Sequence, residues 1–231
     1  MFKALLLDVD GTLVDTYAAE NCAINATLAQ VDWLGGIDTT EFALEWRMQR
    51  KRHPTSWLDG SADLEKMRAV RLSKACRHFG RNPSAAEIRQ LTELLHSKVV
   101  NACRPFPDSR AVLGLLGRLP VGIITNGYER VQKAKLAAAG FDGSQFSPFL
   151  ASAEQGIAKP RPELFLRACT ALQLPPSDCM YVGDDVHDDQ QAASTAGLIG
   201  VLLDRGGKSG LSTGSCVVRT LEQVAQKLHL P

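Results

Sequence analysis

Four short apolar runs recur along this chain with helical patterns between them: KALLLDV (3–9), VGIIT (121–125), CMYVG (179–183) and GVLLD (200–204). They are apolar at successive positions, not at alternate ones, which describes strands buried on both faces. Such strands belong to parallel sheets covered by helices on both sides. FLASAE (149–154) and CVV (216–218) repeat the pattern more weakly. The segments between carry helix punctuation. DSRAVLGLLGRL starts at Asp108, an expected cap, and repeats Val112, Leu116 and Leu119. YERVQKAKLAAAG ends on Gly140, and RPELFLRACTALQL has Pro162 near its start and Leu164, Ala168 and Leu172 on one face. TLEQVAQKL carries a Thr220/Gln223 capping box.

Residues 16–103 are different. They hold no clear strand, and their apolar spacing is helical: Ile24, Leu28, Val31, then Leu72, Cys76, Phe79 ending at Gly80. Ser84 and Glu87 form a second capping box ahead of Ile88, Leu91 and Leu95. The expected organisation is an α/β core from residues 1–15 and 104–231, with an all-helical cap domain, 16–103, inserted after the first strand. A length of 231 residues suits a domain plus a subdomain, and a hydrophobic fraction of 45% is enough for a buried core.

A net charge of +1 gives no polyanion-binding character, and with 6% aromatic residues there is no basic and aromatic stripe for nucleic acid. No apolar run reaches membrane-spanning length, so no membrane partner is expected. The short N-terminal run is cut by Asp8 and Asp10 and has no cleavage site behind it, so it is not taken for a signal peptide. The six cysteines form no C-x-x-C pair and read as reduced, mostly buried thiols of a cytoplasmic protein.

Three of the strands end in polar chemistry: DVDGT, TNG and GDDVHDD. Ligands of open α/β sheets bind outside the carboxyl ends of the strands, so these groups are expected to converge. Asp8 and Asp10 are two apart and share a direction, while Gly11 lets the backbone turn and approach a ligand. An Asx turn alone would account for one aspartate, not for two followed by Gly-Thr. Thr125 and Asn126 sit between a strand and a helix, where they form either an anion site or an ordinary turn and cap. Lys159, in the Pro-flanked loop AKPRP, is either a solvated surface lysine or a cation for a phosphate and a carboxylate. Asp184, Asp185, Asp188 and Asp189 crowd a strand–helix junction, where the helix N-terminus favours carboxylates. Carboxylates from several strands also suit Mg²⁺, which takes oxygen ligands and commonly adds substrate phosphate oxygens.

LLLDVDGTLVDT, IITNG, AKPRPELF and VGDDVHDD together resemble, in order and spacing, the four signature motifs of the haloacid dehalogenase-like hydrolase superfamily. The helical insert after the first motif is similar to the cap of its first subclass. The resemblance implies a Rossmann-like doubly wound parallel sheet and a Mg²⁺-dependent phosphatase. By it, Asp8 is the nucleophile that becomes an aspartyl-phosphate. Asp10 is the general acid and then the base, its backbone carbonyl also binding the metal. Thr125, the Asn126 backbone and Lys159 hold the phosphoryl oxygens, and Asp184 completes the metal site with Asp8 and Asp10. Asp189 takes an outer role toward a metal water or Lys159. Asp185 is either a water-mediated metal contact or a helix cap, and Asp188 is first-turn charge.

The implied substrate is a small phosphomonoester of the phosphoglycolate, nucleotide or sugar phosphate class. A phosphoglucomutase-like phosphotransferase and a catalytically silent binding or regulatory protein are the alternatives; the occupied catalytic positions argue against silence. In relatives the cap selects the leaving group. Arg47, Arg50, Lys51, Arg52 and His53 are therefore either contacts for a second anionic group or a solvated helix face, the expected one. Trp33, Trp46 and Trp57 are expected to pack the cap, and His187 to be a helix-turn residue, since Mg²⁺ prefers oxygen.

Overall fold

A computed structural model describes residues 2–52, 64–114, 119–211, 214 and 216–227. The chain divides into two compact units, Met1–Asp15 with Arg104–Pro231, and Thr16–Cys103.

The first unit begins with β1 (Ala4–Leu7). The second unit follows, with α1 (Thr16–Leu28), α2 (Thr39–Arg52), α3 (Leu64–His78) and α4 (Ala85–Ala102). The first unit resumes with α5 (Arg110–Leu113), β2 (Val121–Thr125), α6 (Glu129–Ala138), β3 (Phe149–Ala151) and α7 (Ser152–Gln155). It ends with α8 (Pro162–Leu172), β4 (Cys179–Gly183), α9 (Ala192–Thr195), β5 (Ile199–Leu203), β6 (Val217–Val218) and α10 (Leu221–Lys227).

The six strands form one parallel sheet in the order β3-β2-β1-β4-β5-β6. Both weak strand candidates are therefore strands, although FLASAE leaves the sheet after Ala151 and turns into α7. The order reverses at β1, which pairs with β2 on one side and β4 on the other. That switch point places the carboxyl ends of β1, β2 and β4 side by side. Ala4, Leu6, Ile124, Cys179 and Tyr181 face one side of the sheet, against Leu164, Phe165, Ala168 and Cys169 of α8 and Ala192 and Ala193 of α9. The alternate positions Leu5, Leu7, Ile123 and Val182 are as deeply buried, so these strands are covered on both faces and read as unbroken apolar runs.

The second unit has its own core of Ile24, Leu28, Phe42, Leu72, Cys76, Leu91 and Leu95, against which Trp33 and Trp46 pack, as expected. Trp57 and His53 lie outside the described residues, and the side chain of Lys51 is not described. Its α4 starts with the Ser84/Glu87 box, both arms formed. Arg47 and Arg50 are partly exposed, and Arg52 is exposed; the first two also have an acidic partner within the unit. Their guanidinium groups pair with Glu20 of α1 at 3.4 and 2.7 Å, and both lie over the Tyr17 ring.

Two capping expectations change. Asp108 does not cap its own helix: its Oδ2 accepts from the backbone N–H of Leu221, at the start of α10, and pairs with Arg205 at 2.7 Å. The Thr220/Gln223 box is half formed, since the Gln223 side chain accepts from the Arg219 N–H instead of the Thr220 N–H. Four of the six free cysteines are buried, and Cys22 and Cys216 are exposed. No helix among the described residues is long and apolar enough to cross a membrane.

Candidate active site

The first site residue is placed by the sheet itself. The Asp8 N–H donates to Val182 O at 3.0 Å, one step past the last β1–β4 pair, so its carboxylate emerges at the strand end. The chain then turns within Val9–Val14, where Gly11 has φ +74° and donates to Val14 O. A Cβ at Gly11 would lie 2.1 Å from Asp184 Oδ2, so the glycine is what lets the β4 carboxylate reach the β1 turn. Gly183 serves the neighbouring carboxylate in the same way, since its Cβ would meet Asp189 Cγ at 2.2 Å.

Asp8, Asp184 and Asp189 each bring an oxygen to within 4.8 Å of the others. Lys159 is buried among them, its Nζ 2.6 Å from Asp189 Oδ1 and 3.1 Å from Asp8 Oδ1. The Asp8 contact lacks hydrogen-bond geometry, so Asp8 Oδ1 is buried with no hydrogen-bond donor. Burial pushes the Asp8 carboxyl up to about 7; Lys159 opposes the rise, and Asp189 and Asp10 add to it. Burial likewise holds Asp184 well above the usual carboxylate range, helped by the negative charge of Asp189 and Asp8. For Lys159, burial works against the charged form, but Asp189 and Asp8 more than offset it and the ammonium is held more firmly than usual.

Three carboxylates against one ammonium leave a formal excess of two negative charges, which is the charge of one divalent cation. The donors are all oxygen, and Asp8 Oδ1 is buried with no hydrogen bond beyond its ion-pair contact with Lys159, so the group fits a hard cation such as Mg²⁺. Asp189 is the least available of the three: its Oδ1 takes Lys159 and the Tyr181 hydroxyl, and its Oδ2 accepts from the Asp185 N–H.

The remaining aspartates of the cluster separate cleanly. Asp185 forms a cap: its Oδ1 accepts from the N–H groups of His187 and Asp188 at 2.8 Å, opening a π-helical turn, Val186–Gln191. Asp188 is half exposed and pairs with His187 Nδ1, and burial raises its carboxyl above the usual value.

From β2, the Thr125 hydroxyl and the Asn126 backbone reach the same end of the sheet. The Asn126 side chain is committed elsewhere: its Oδ1 accepts from Lys159 N–H and its Nδ2 donates to Lys159 O, clamping the lysine loop. Asp10 is turned toward α6, where Lys135 Nζ holds its two oxygens at 2.7 and 2.8 Å and Gln132 Nε2 donates to Oδ2 at 2.9 Å.

A family model described as haloacid dehalogenase-like hydrolase matches residues 2–197. The chain belongs to the haloacid dehalogenase-like hydrolases. Among curated proteins, this hydrolase is 28% identical over 215 residues to the glyceraldehyde 3-phosphate phosphatase of Methanopyrus kandleri, covering 89% of this chain and 85% of that one. It is 36% identical over 218 residues to the N-acylneuraminate-9-phosphatase of Rattus norvegicus, covering 85% and 79%. Among solved structures it shares its fold with a HAD-hydrolase, YfnB, of Bacillus subtilis (TM-score 0.81, 19% identity, 99% of each chain). The same holds for the L-2-haloacid dehalogenase of Xanthobacter autotrophicus (TM-score 0.77, 19% identity, 99% and 98% of the two chains).

Three functional candidates in this hydrolase escaped the reading of its sequence: Tyr181, Gln132 and Lys135. Tyr181 sits in an apolar strand, yet its hydroxyl accepts from Lys159 and faces Asp189 and Ile124 O. Gln132 and Lys135 share the buried face of α6 with Val131 and Leu136. That is the available signal: two polar residues on the apolar face of an amphipathic helix need buried partners.

Proposed function

We propose that this hydrolase is a Mg²⁺-dependent phosphatase that acts on a small phosphomonoester through an aspartyl-phosphate at Asp8. The observation that carries the proposal is the position of Asp8: a buried strand-end carboxylate whose Oδ1 lies 3.1 Å from Lys159 Nζ and accepts no hydrogen bond of good geometry. Asp8 and Asp184 with the Asp10 backbone carbonyl would hold the ion. When bound, Mg²⁺ neutralises charge on the phosphate and on Asp8, which otherwise repel each other.

The protein groups divide the remaining work. An Asp8 oxygen attacks phosphorus as the bond to the leaving oxygen breaks, and Asp10 gives that oxygen a proton. A water then attacks the phosphorus, Asp10 takes its proton, and Asp8 is released with inorganic phosphate. The Thr125 hydroxyl, the Asn126 N–H and Lys159 Nζ bind the phosphoryl oxygens, and Asp189 with Tyr181 keeps the lysine in place. Asp10 also favours phosphate chemistry over dehalogenation, since a halide leaving group needs no proton from a general acid.

Phosphatases of glyceraldehyde 3-phosphate and N-acylneuraminate 9-phosphate among the relatives support a small phosphorylated metabolite, within the phosphoglycolate, nucleotide or sugar phosphate classes. The test is hydrolysis of p-nitrophenyl phosphate. Turnover is expected to require Mg²⁺ and to vanish in Asp8→Asn; a wild type inactive on a broad phosphoester panel with Mg²⁺ present would overturn the proposal.

A further inference from the structure

The α6 face that grips Asp10 has no role in the chemistry above. Lys135 is buried and binds both Asp10 oxygens, at 2.7 and 2.8 Å. Gln132 is buried more deeply still, and its Nε2 lies 2.9 Å from Asp10 Oδ2, 2.7 Å from Thr125 Oγ1 and 3.2 Å from Asn126 O. The amide orientation is dictated by these partners. Turning it over would set a carbonyl oxygen against three oxygens, whereas as placed only Gln132 Oε1 is left without a donor. A single side chain therefore joins the proposed proton carrier to two proposed phosphate-binding groups.

Two consequences follow from donor and acceptor rules. Thr125 Oγ1 accepts from Gln132, so its one hydrogen is left to donate outward. Asp10 has both oxygens anchored on α6 in a fixed orientation, and the ion pair with Lys135 is charge-assisted on both contacts.

We propose that Lys135 and Gln132 are positioning residues: Lys135 with Gln132 sets the orientation from which the Asp10 carboxyl delivers its proton, and Gln132 turns the Thr125 hydroxyl toward the phosphoryl group. The proposal rests on the reading of Asp10 as general acid and base. In the first half-reaction Asp10, protonated from solvent before the step, passes that proton to the leaving oxygen as the Asp8–phosphorus bond forms and the bond to the leaving oxygen breaks; the attacking water of the second half-reaction returns a proton to Asp10. A misplaced Asp10 therefore hurts most where the leaving oxygen is a poor one.

The experiment compares kcat/KM for p-nitrophenyl phosphate, whose leaving group departs without a proton, and for a simple alkyl phosphate, whose leaving group does not. Positioned general acids contribute about 10²–10⁴-fold, so Lys135→Met is expected to lose at least about 10-fold more on the alkyl phosphate than on the aryl one. Lys135→Arg is expected to recover most of that difference. Gln132→Met is expected to show the same leaving-group bias and, in addition, several-fold weaker inhibition by inorganic phosphate, which Lys135→Met does not show. Equal losses on both substrates in Lys135→Met, or phosphate inhibition unchanged in Gln132→Met, would overturn the proposal. Asp10→Asn separates this from the underlying reading: if Asp10→Asn itself shows no leaving-group bias, the acid–base role of Asp10 fails, whereas a bias there without one in Lys135→Met refutes the positioning alone. Thermal melts of each variant identify any loss that comes from unfolding.

Discussion

Replacing Asp8 by Asn should make the metal-free protein more stable at neutral and alkaline pH while abolishing turnover. Burial raises the Asp8 carboxyl from 3.8 to about 7, with the Lys159 contribution already included. A group raised in the folded state holds its proton more tightly there than in the unfolded chain. Its ionisation therefore costs nothing below about pH 4, costs progressively more as pH rises toward 7, and costs the full amount above it. Three pKa units correspond to roughly 4 kcal/mol, which the neutral amide does not incur. For a chain of this size that is worth about 8–16 °C in Tm. The assay is thermal unfolding of wild type and Asp8→Asn with a chelator, at pH 4.5 and pH 8. The variant should melt about 8–16 °C higher at pH 8 and only about 2–4 °C higher at pH 4.5, where roughly a quarter of the penalty applies. Adding Mg²⁺ at pH 8 should stabilise the wild type far more than the variant, because the ion removes the same charge penalty. An Asp8→Asn protein no more stable than wild type at pH 8 without metal would refute the reasoning that the buried charge is unpaid in the metal-free site.

Calorimetric titration with Mg²⁺ should find binding lost in Asp184→Ala and little changed in Asp188→Ala, because Asp184 lies in the carboxylate cluster and Asp188 is half exposed against His187; equal losses would remove the distinction. Gly11→Ala is expected to keep its far-UV circular dichroism but to weaken Mg²⁺ by on the order of 10-fold or more, since its Cβ must displace Asp184 from a turn at φ +74°. Tyr181→Phe removes a hydroxyl shared by Lys159, Asp189 and Ile124 O and should destabilise the protein to urea by about 1–3 kcal/mol; an unchanged midpoint would mean that the hydroxyl is not needed to satisfy the buried pair.

The local rules carried the sequence reading a long way. Unbroken apolar runs marked four strands and, more weakly, the two edge strands, because a strand buried on both faces has no polar side to alternate with. Gly140 past α6, Pro162 at the start of α8 and the Ser84/Glu87 box were legible because each acts within one helical turn. Asp8, Thr125, Lys159 and Asp184 were legible as a group because strand ends of a doubly wound sheet meet at one edge. What the chain order could not convey is pairing across long separations. Asp108 looks like a cap for its own helix, yet it caps one 113 residues away. Arg47 and Arg50 look like a solvated basic run, yet the neighbouring helix supplies Glu20 to them. Four aspartates in six positions look alike until the tertiary structure gives one a lysine and a tyrosine, one a pair of backbone N–H groups, one a place in the carboxylate cluster and one largely to solvent and His187. Asp10 belongs with Lys135, 125 residues on, for the same reason. Residue type and spacing determine what each group can do, but burial and the nearest opposite charge decide which of those things it does, and both exist only once the sheet has closed around them.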